Sequence, residues 1–149
     1  MTPSDQLNAA VNAEIERLGA TDVKVLGGPL AISDRVISDL SRMNLKIERI
    51  SGDNHYDTAL QIARRTYQTG TQEVFLVSGE NYADALSIVP AASERSIPIL
   101  LNPQGHLNDL VKQQLSQWNI RQVRLIGGEL ALDSEIATDL INLGYQVVR

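Results

Sequence analysis

Cysteine is absent from the 149 residues, which excludes disulfides and thiolate metal sites. That absence suits a cytoplasmic protein and a surface protein that avoids thiols equally well, so it assigns no compartment. Aromatic residues make up only 4% of the chain, and Trp118 is the single tryptophan. Aliphatic side chains must therefore fill the core, and a nucleic-acid or sugar site built on aromatic stacking is disfavoured. Histidine is scarce too: His55 and His106 are the only two. With 13 Lys and Arg against 18 Asp and Glu, the formal net charge is −5. Phosphate backbones need a positive surface, so no nucleic-acid partner is expected. No apolar run is long enough for a membrane helix, and Met1 begins no signal peptide. Membrane insertion is not expected, and the chain reads either as cytoplasmic or as a piece of a longer secreted protein.

What is present is ordinary for a globular protein: 43% hydrophobic and 21% charged residues. The length suits one compact α/β domain with a sizeable core. The chain also repeats itself. Residues 7–49 laid against 107–149 without a gap give eleven identities in 43 positions. They include Leu7/Leu107, Asn8/Asn108, Gly27-Gly28/Gly127-Gly128, Leu30-Ala31/Leu130-Ala131, Asp39-Leu40/Asp139-Leu140 and Arg49/Arg149. Self-similarity at a fixed period signals a repeat architecture. Residues 1–49 are read as the second half of one repeat and 50–149 as one complete repeat, together forming one compact α/β domain. That favours a segment of a longer secreted array.

Short aliphatic runs predict strands at 23–26, 45–50, 73–77, 97–101, 123–126 and 145–148. Helical periodicity predicts helices near 5–18, 33–43, 55–69, 81–95, 107–118 and 133–143. Ser33 and Asp133, at equivalent positions, are expected N-caps. The alternation argues for an α/β fold with a mainly parallel sheet and helices on both faces.

Four stretches could carry chemistry. The two diglycines each follow a strand and precede a helix, where α/β folds bind phosphates. Neither has the third glycine or the Lys-Ser/Thr of a phosphate loop, so tight turns are the simpler explanation. In Arg49-Ile-Ser-Gly-Asp-Asn-His-Tyr-Asp-Thr, residues Ser51, Asp53 and Thr58 have turn and cap chemistry. Asp53 and Asp57 read as acids opposing a helix dipole. His55 has no evident partner, so a zinc site or a nucleophile–histidine pair is not expected. In Ser78-Gly-Glu-Asn-Tyr-Ala-Asp, a strand ends and Glu80, Asn81 and Asp84 open a helix; ligand contact and plain capping both stay open there. Pro98-Ile-Leu-Leu-Asn102 reads as a core strand ending in a polar side chain.

Together these stretches resemble the cell-wall-binding repeat 2 family. Arg49-Ile-Ser-Gly with Tyr56 and Thr58-Ala59 is similar to its opening, and Ser78-Gly-Glu-Asn-Tyr-Ala-Asp-Ala-Leu to its centre. Pro98-Ile-Leu-Leu is similar to its third block, and Ile126-Gly-Gly with Leu130-Ala131 to its end. Three features depart from the family pattern: His55 in place of an arginine, the larger Ile88-Val89, and Asn102 in place of a threonine. The resemblance implies a Rossmann-like fold and a non-catalytic module, usually in three tandem units around a pseudo-three-fold axis. It implies anchoring of secreted Gram-positive surface proteins, S-layer-associated ones included, to an anionic secondary cell-wall polymer. Location would be extracellular, in the cell wall, with no cofactor and no metal. The expected polymer contacts are Arg49, Ser51, Asp53, His55, Tyr56, Ser78, Glu80, Asn81, Asp84 and Asn102. A structural role in packing repeats together is the rival, favoured if residues 98–101 and the 81–95 helix expose aliphatic surface. An enzyme or nucleotide-binding domain rests on fold analogy alone. With fewer than three units, self-association is expected, with a trimer as the favoured state. The alternative is a self-contained six-stranded monomer.

Overall fold

The computed structural model describes residues 1–67 and 71–149. The chain divides into two compact units, Met1–Asn54 and His55–Arg149. The first contains α1 (Ala9–Arg17), β1 (Asp22–Leu26), α2 (Asp34–Ser41) and β2 (Lys46–Ile50). The second contains α3 (His55–Thr66), β3 (Glu73–Ser78), α4 (Tyr82–Arg95), β4 (Ile99–Asn102), α5 (Asp109–Gln117), β5 (Gln122–Ile126), α6 (Ser134–Asn142) and β6 (Gln146–Val148). Every predicted strand and helix is found, with ends moved by a few residues. The predicted helix over 55–69 runs to Thr66, and its residues 68 and 69 lie outside the described residues. Among the described residues the six strands divide between a two-stranded sheet, β1-β2, and a four-stranded sheet, β4-β3-β5-β6. Every pairing is parallel.

Alternation along β3 sorts the second unit into two layers. Val74 and Leu76 point into the main core with Leu60 of α3, Val111 and Leu115 of α5, and Ile136 and Leu140 of α6. Phe75 points the other way, under Ala92 of α4, beside Ile97 and Ile126. Helices therefore cover both faces, as expected of a parallel sheet whose strands are aliphatic throughout. Pro90 sits inside α4 without ending it; the helix gives up one backbone hydrogen bond there. Residues 98–101 belong to this core: Pro98 and Leu100 are buried, and Ile99 and Leu101 are partly so. Of these two segments, only α4 exposes large aliphatic side chains, Leu86 and Val89.

The hundred-residue offset recurs in several hydrogen bonds. Asn8 and Asn108 cap α1 and α5, accepting from Ala10 N and Leu110 N, both at 2.8 Å. Gly28 O accepts from Ala31 N and Ile32 N, as Gly128 O does from Ala131 N and Leu132 N. Ser33 N donates to Ser4 O, and Asp133 N to Gln104 O. The equivalence fails at one expected cap. Asp133 accepts from Glu135 N at 3.5 Å, whereas Ser33 stands at the N-cap of α2 without capping it. The Ser33 hydroxyl is buried and finds no partner among the described residues.

Gly27 and Gly127 carry φ of +120° and +103°, a conformation that side chains resist. A Cβ at either would stand 3.0 Å from the methyl of Ala31 or Ala131. Only at Gly127 would it also meet a carboxylate, Asp84 Oδ2, at 2.5 Å. Gly27→Ala should cost about 1–3 kcal/mol through backbone strain. Gly127→Ala should cost measurably more because Asp84 must move. Thermal unfolding of the two variants, followed by hydrogen exchange in each unit, checks the order.

Candidate functional site

Three of the ten expected contact residues lie in the first unit. Arg49, on β2, directs Nη1 to Gly27 O and Ile32 O, each at 2.8 Å. Its Nη2 reaches Asp34 Oδ1 at 3.3 Å. The guanidinium closes the diglycine turn from beneath, and Arg149 repeats the arrangement on Gly127 O at 3.0 Å and Leu132 O at 2.9 Å. The same backbone bonding thus occurs in both copies. Ser51 packs near Gly28, and Asp53 is exposed in the turn after β2.

The other seven belong to the second unit, at the carboxyl ends of β3 and β4 and the starts of α3 and α4, where open α/β sheets present ligands. Three of these are consumed by local structure. Ser78, buried at the end of β3, accepts from Glu80 N at 3.2 Å. Asn81 caps α4, accepting from Ala83 N at 3.1 Å. Asn102, fully buried, donates to Pro103 O and His106 O at 2.7 and 2.8 Å and accepts from Asn108 N at 2.9 Å. It staples the loop that leads into α5. Thr2, one hundred positions earlier, does the same with its hydroxyl. It donates to Gln6 O at 2.7 Å and accepts from Asn8 N at 2.8 Å.

His55, Tyr56, Glu80 and Asp84 remain. The rings of His55 and Tyr56 lie 3.9 Å apart, tilted by 37°. The Tyr56 ring rests directly on Gly79, and a Cβ there would collide with it and stand 3.1 Å from His55 Nε2. Burial first, and the negative charge of Glu80 second, push the Tyr56 phenol above its usual value. The hydroxyl therefore stays a neutral donor across the physiological range. Glu80 is exposed and accepts from Gln104 N at 3.3 Å through one oxygen. Asp84 lies against Gly127, which joins the first turn of α4 to the turn after β5.

This edge offers carboxylate acceptors, a phenol and an imidazole on a rigid strand-end frame. It suits polyhydroxylated ligands, whose hydroxyls donate to carboxylates. Ser78 is buried and its hydroxyl accepts from a backbone N–H. Among the described residues no group of three or more His, Asp or Glu side chains could hold a metal ion. No helix of the described residues is long and apolar enough to cross a membrane.

The family model for cell wall binding domain 2 (CWB2) matches residues 49–137, from the arginine of β2 through the polar edge into α6. The chain belongs to the CWB2 family. Cell wall protein Cwp8 from Clostridium difficile superposes with a TM-score of 0.84 at 26% identity, over 99% of this chain and 25% of its own. Cwp6 from the same organism gives 0.83 at 28% identity, over 97% and 23%. The N-acetylmuramoyl-L-alanine amidase LytC of Bacillus subtilis is 25% identical over 93% of this chain and 28% of its own length. The amidase enhancer of the same organism is 27% identical over 93% and 18%. This CWB2 chain thus spans between 18% and 28% of the length of these four proteins. The Rossmann-like α/β fold expected from the sequence agrees with both solved structures. A cell-wall-binding module with a wall polymer as partner agrees with the family.

The two hydrogen-bonding patterns at position 102 give a direct test. Asn102→Ala should lower stability by about 2–3 kcal/mol, because buried backbone groups lose their partners. Asn102→Thr should lose less than half of that, since Thr2 already performs the task in the first unit. Denaturant unfolding monitored by Trp118 fluorescence distinguishes them.

Proposed function

We propose that this CWB2 chain is a binding module without catalysis of its own that anchors a surface protein to an anionic secondary cell-wall polymer. The observation that carries the proposal is the coincidence of the family match over 49–137 with the polar edge of the second unit. His55, Tyr56, Glu80 and Asp84 are the side chains there not wholly consumed by the fold. Sugar hydroxyls donate to Glu80 and Asp84 and accept from Tyr56. Anionic groups of the polymer avoid the carboxylates and face His55 or the backbone N–H groups of the turns. Ser78, Asn81 and Asn102 shape the edge. Secreted Gram-positive cell walls, S-layer-associated proteins included, are the setting that fits this chemistry.

Binding to wall preparations with and without the secondary polymer tests the proposal. The parent chain should sediment with polymer-bearing walls and stay in solution with stripped ones. Asp84→Asn and Tyr56→Phe should each weaken binding by about tenfold, on the order of one charge-assisted or neutral hydrogen bond, with unchanged unfolding midpoints. Equal binding to stripped walls would overturn it.

A second reading, packing between repeats, has its own observation. Tyr82, Leu86 and Val89 form an i, i+4, i+7 stripe on α4 with 78%, 64% and 47% exposure. Apolar stripes of this kind are docking faces. On this reading neighbouring repeats or identical copies cover α4, and a trimer restores the arrangement implied by three tandem units. Sedimentation equilibrium should show a trimer for the parent and a monomer for Leu86→Glu. A monomer for both at millimolar concentration removes this reading and leaves wall binding untouched.

A further inference from the structure

Helix α5 turns two faces outward from its axis with different chemistry. Val111, Gln114 and Leu115 are buried against the sheet. Asp109, Lys112, Gln113 and Ser116 follow one another at i, i+3, i+4 and i+7, so they form one polar stripe. The stripe rises about 10 Å along the helix axis. Facing it, the chain leaves α6 at Leu143 and turns at Gly144, with φ of +91°, into β6. Leu143 and Tyr145 line the other side of an open pocket of about 460 Å³. This wall is fixed from behind. Gly144 N donates to Ile141 O at 2.9 Å and Tyr145 N to Leu140 O at 3.1 Å, and Tyr145 packs against the main core.

The frame does not require this lining. One hundred positions earlier stand Ala9, Asn12, Ala13, Glu16, Met43 and Leu45. The turn there is kept, with Asn44 at φ of 60° in the place of Gly144. The polar groups are not kept: Asn12 donates to Glu16 at 3.0 Å, and Leu45 replaces the phenol. In the second unit the Tyr145 hydroxyl, the Gln113 amide and the Ser116 hydroxyl make no hydrogen bond among the described residues. Burial holds the Tyr145 phenol above its usual value, so it stays neutral and both donates and accepts.

The lining also says what kind of ligand fits. Lys112 reaches Asp109 at 3.4 Å, so the charges of the pocket cancel and no net field draws in an anion. An apolar wall opposite converging donors and acceptors matches a ring with a C–H face and polar substituents. The Gln113 amide, with donors and an acceptor side by side, is the complement of another amide.

We propose that the pocket between α5 and the α6–β6 turn is a glycan subsite for an uncharged N-acetylated pyranose. The C–H face of the sugar lies against Tyr145 and Leu143. Its acetamido group pairs with Gln113, and its hydroxyls pair with Ser116 and the Tyr145 phenol. The stripe is long enough for a second linked ring, which reaches Asp109 and Lys112. The site therefore takes an uncharged amino-sugar strand of the wall, a different ligand from the anionic polymer assigned to the polar edge, and it does not depend on that assignment.

Titration of the full chain with tri-N-acetylchitotriose, followed by backbone amide NMR, tests the subsite. Saturable shifts are expected at residues 109–116 and 143–145, with 55–56 and 79–84 silent and a Kd on the order of 1 mM. Tyr145→Leu and Gln113→Ala install the side chains of the first copy, so the frame tolerates them. Each should weaken binding by about fivefold, the worth of one hydrogen bond or less, with the remaining amide spectrum unchanged. Cellotriose, which lacks the acetamido groups, should bind the parent about as weakly as tri-N-acetylchitotriose binds Gln113→Ala. Absence of saturable shifts at these residues up to about 20 mM ligand would overturn the proposal. So would parental affinity in both variants, equal binding of cellotriose, or shifts at these residues produced by the purified anionic polymer instead. Wall-polymer binding at the polar edge is read from a separate titration and stands or falls by itself.

Discussion

The guanidinium at the end of each last strand is the interaction on which the half-repeat depends. Arg49 and Arg149 each bind two carbonyl oxygens that belong to one turn, at Gly27 and Ile32 or at Gly127 and Leu132. The glycine that supplies the first carbonyl of each pair has a positive φ, +120° at Gly27 and +103° at Gly127. A buried carbonyl without a donor costs about 1–3 kcal/mol, so arginine and diglycine require each other. The turn fixed in this way sets where α2 and α6 begin and brings Gly127 against Asp84. The polar edge of the second unit is thus built on a backbone that Arg149 holds in place.

The same frame appears with different degrees of burial in the two units. In the second, Leu125, Ile136 and Leu140 lie within a core shared by three helices and the sheet. In the first, Val25, Val36 and Leu40 form a smaller cluster ringed by partly buried residues such as Leu7, Ile15 and Met43. Each fully buried aliphatic side chain contributes about 1.5–3 kcal/mol. The first unit is consequently the less stable of the two as it stands, although its caps and turns are the same.

Secondary structure was legible because the strands are unbroken aliphatic runs and the helices keep a single apolar face. The repeat was legible from identities alone, and it carried more structural information than its identities suggest. The polar residues were harder to read. Arg49, Ser78, Asn81 and Asn102 have the residue types and strand-end positions of ligand contacts, yet each is bonded to nearby backbone. Whether a side chain bonds to its own loop depends on loop geometry, which no local pattern encodes. A signal was nevertheless present for two of them. Arg149 and Thr2 occupy the same places one hundred positions away, and a role performed in both copies is one the frame requires. Ser33 shows the reverse: its position promised a cap, but its hydroxyl does not reach the backbone of α2.

On the proposed reading the groups that bind polymer all lie in the second unit: His55, Tyr56, Glu80 and Asp84, together with the backbone of Gly79 and Gly127. They combine acceptors and donors on rigid strand ends, which pre-organises them and lowers the entropic cost of holding a flexible polysaccharide. The most direct measurement is the backbone amide NMR spectrum of the full chain titrated with purified secondary wall polymer. Shifts confined to residues 55–56, 79–84, 104 and 127–128 are the expected result. Saturable shifts confined to α4 or to the first unit, with that edge silent, would contradict the assignment.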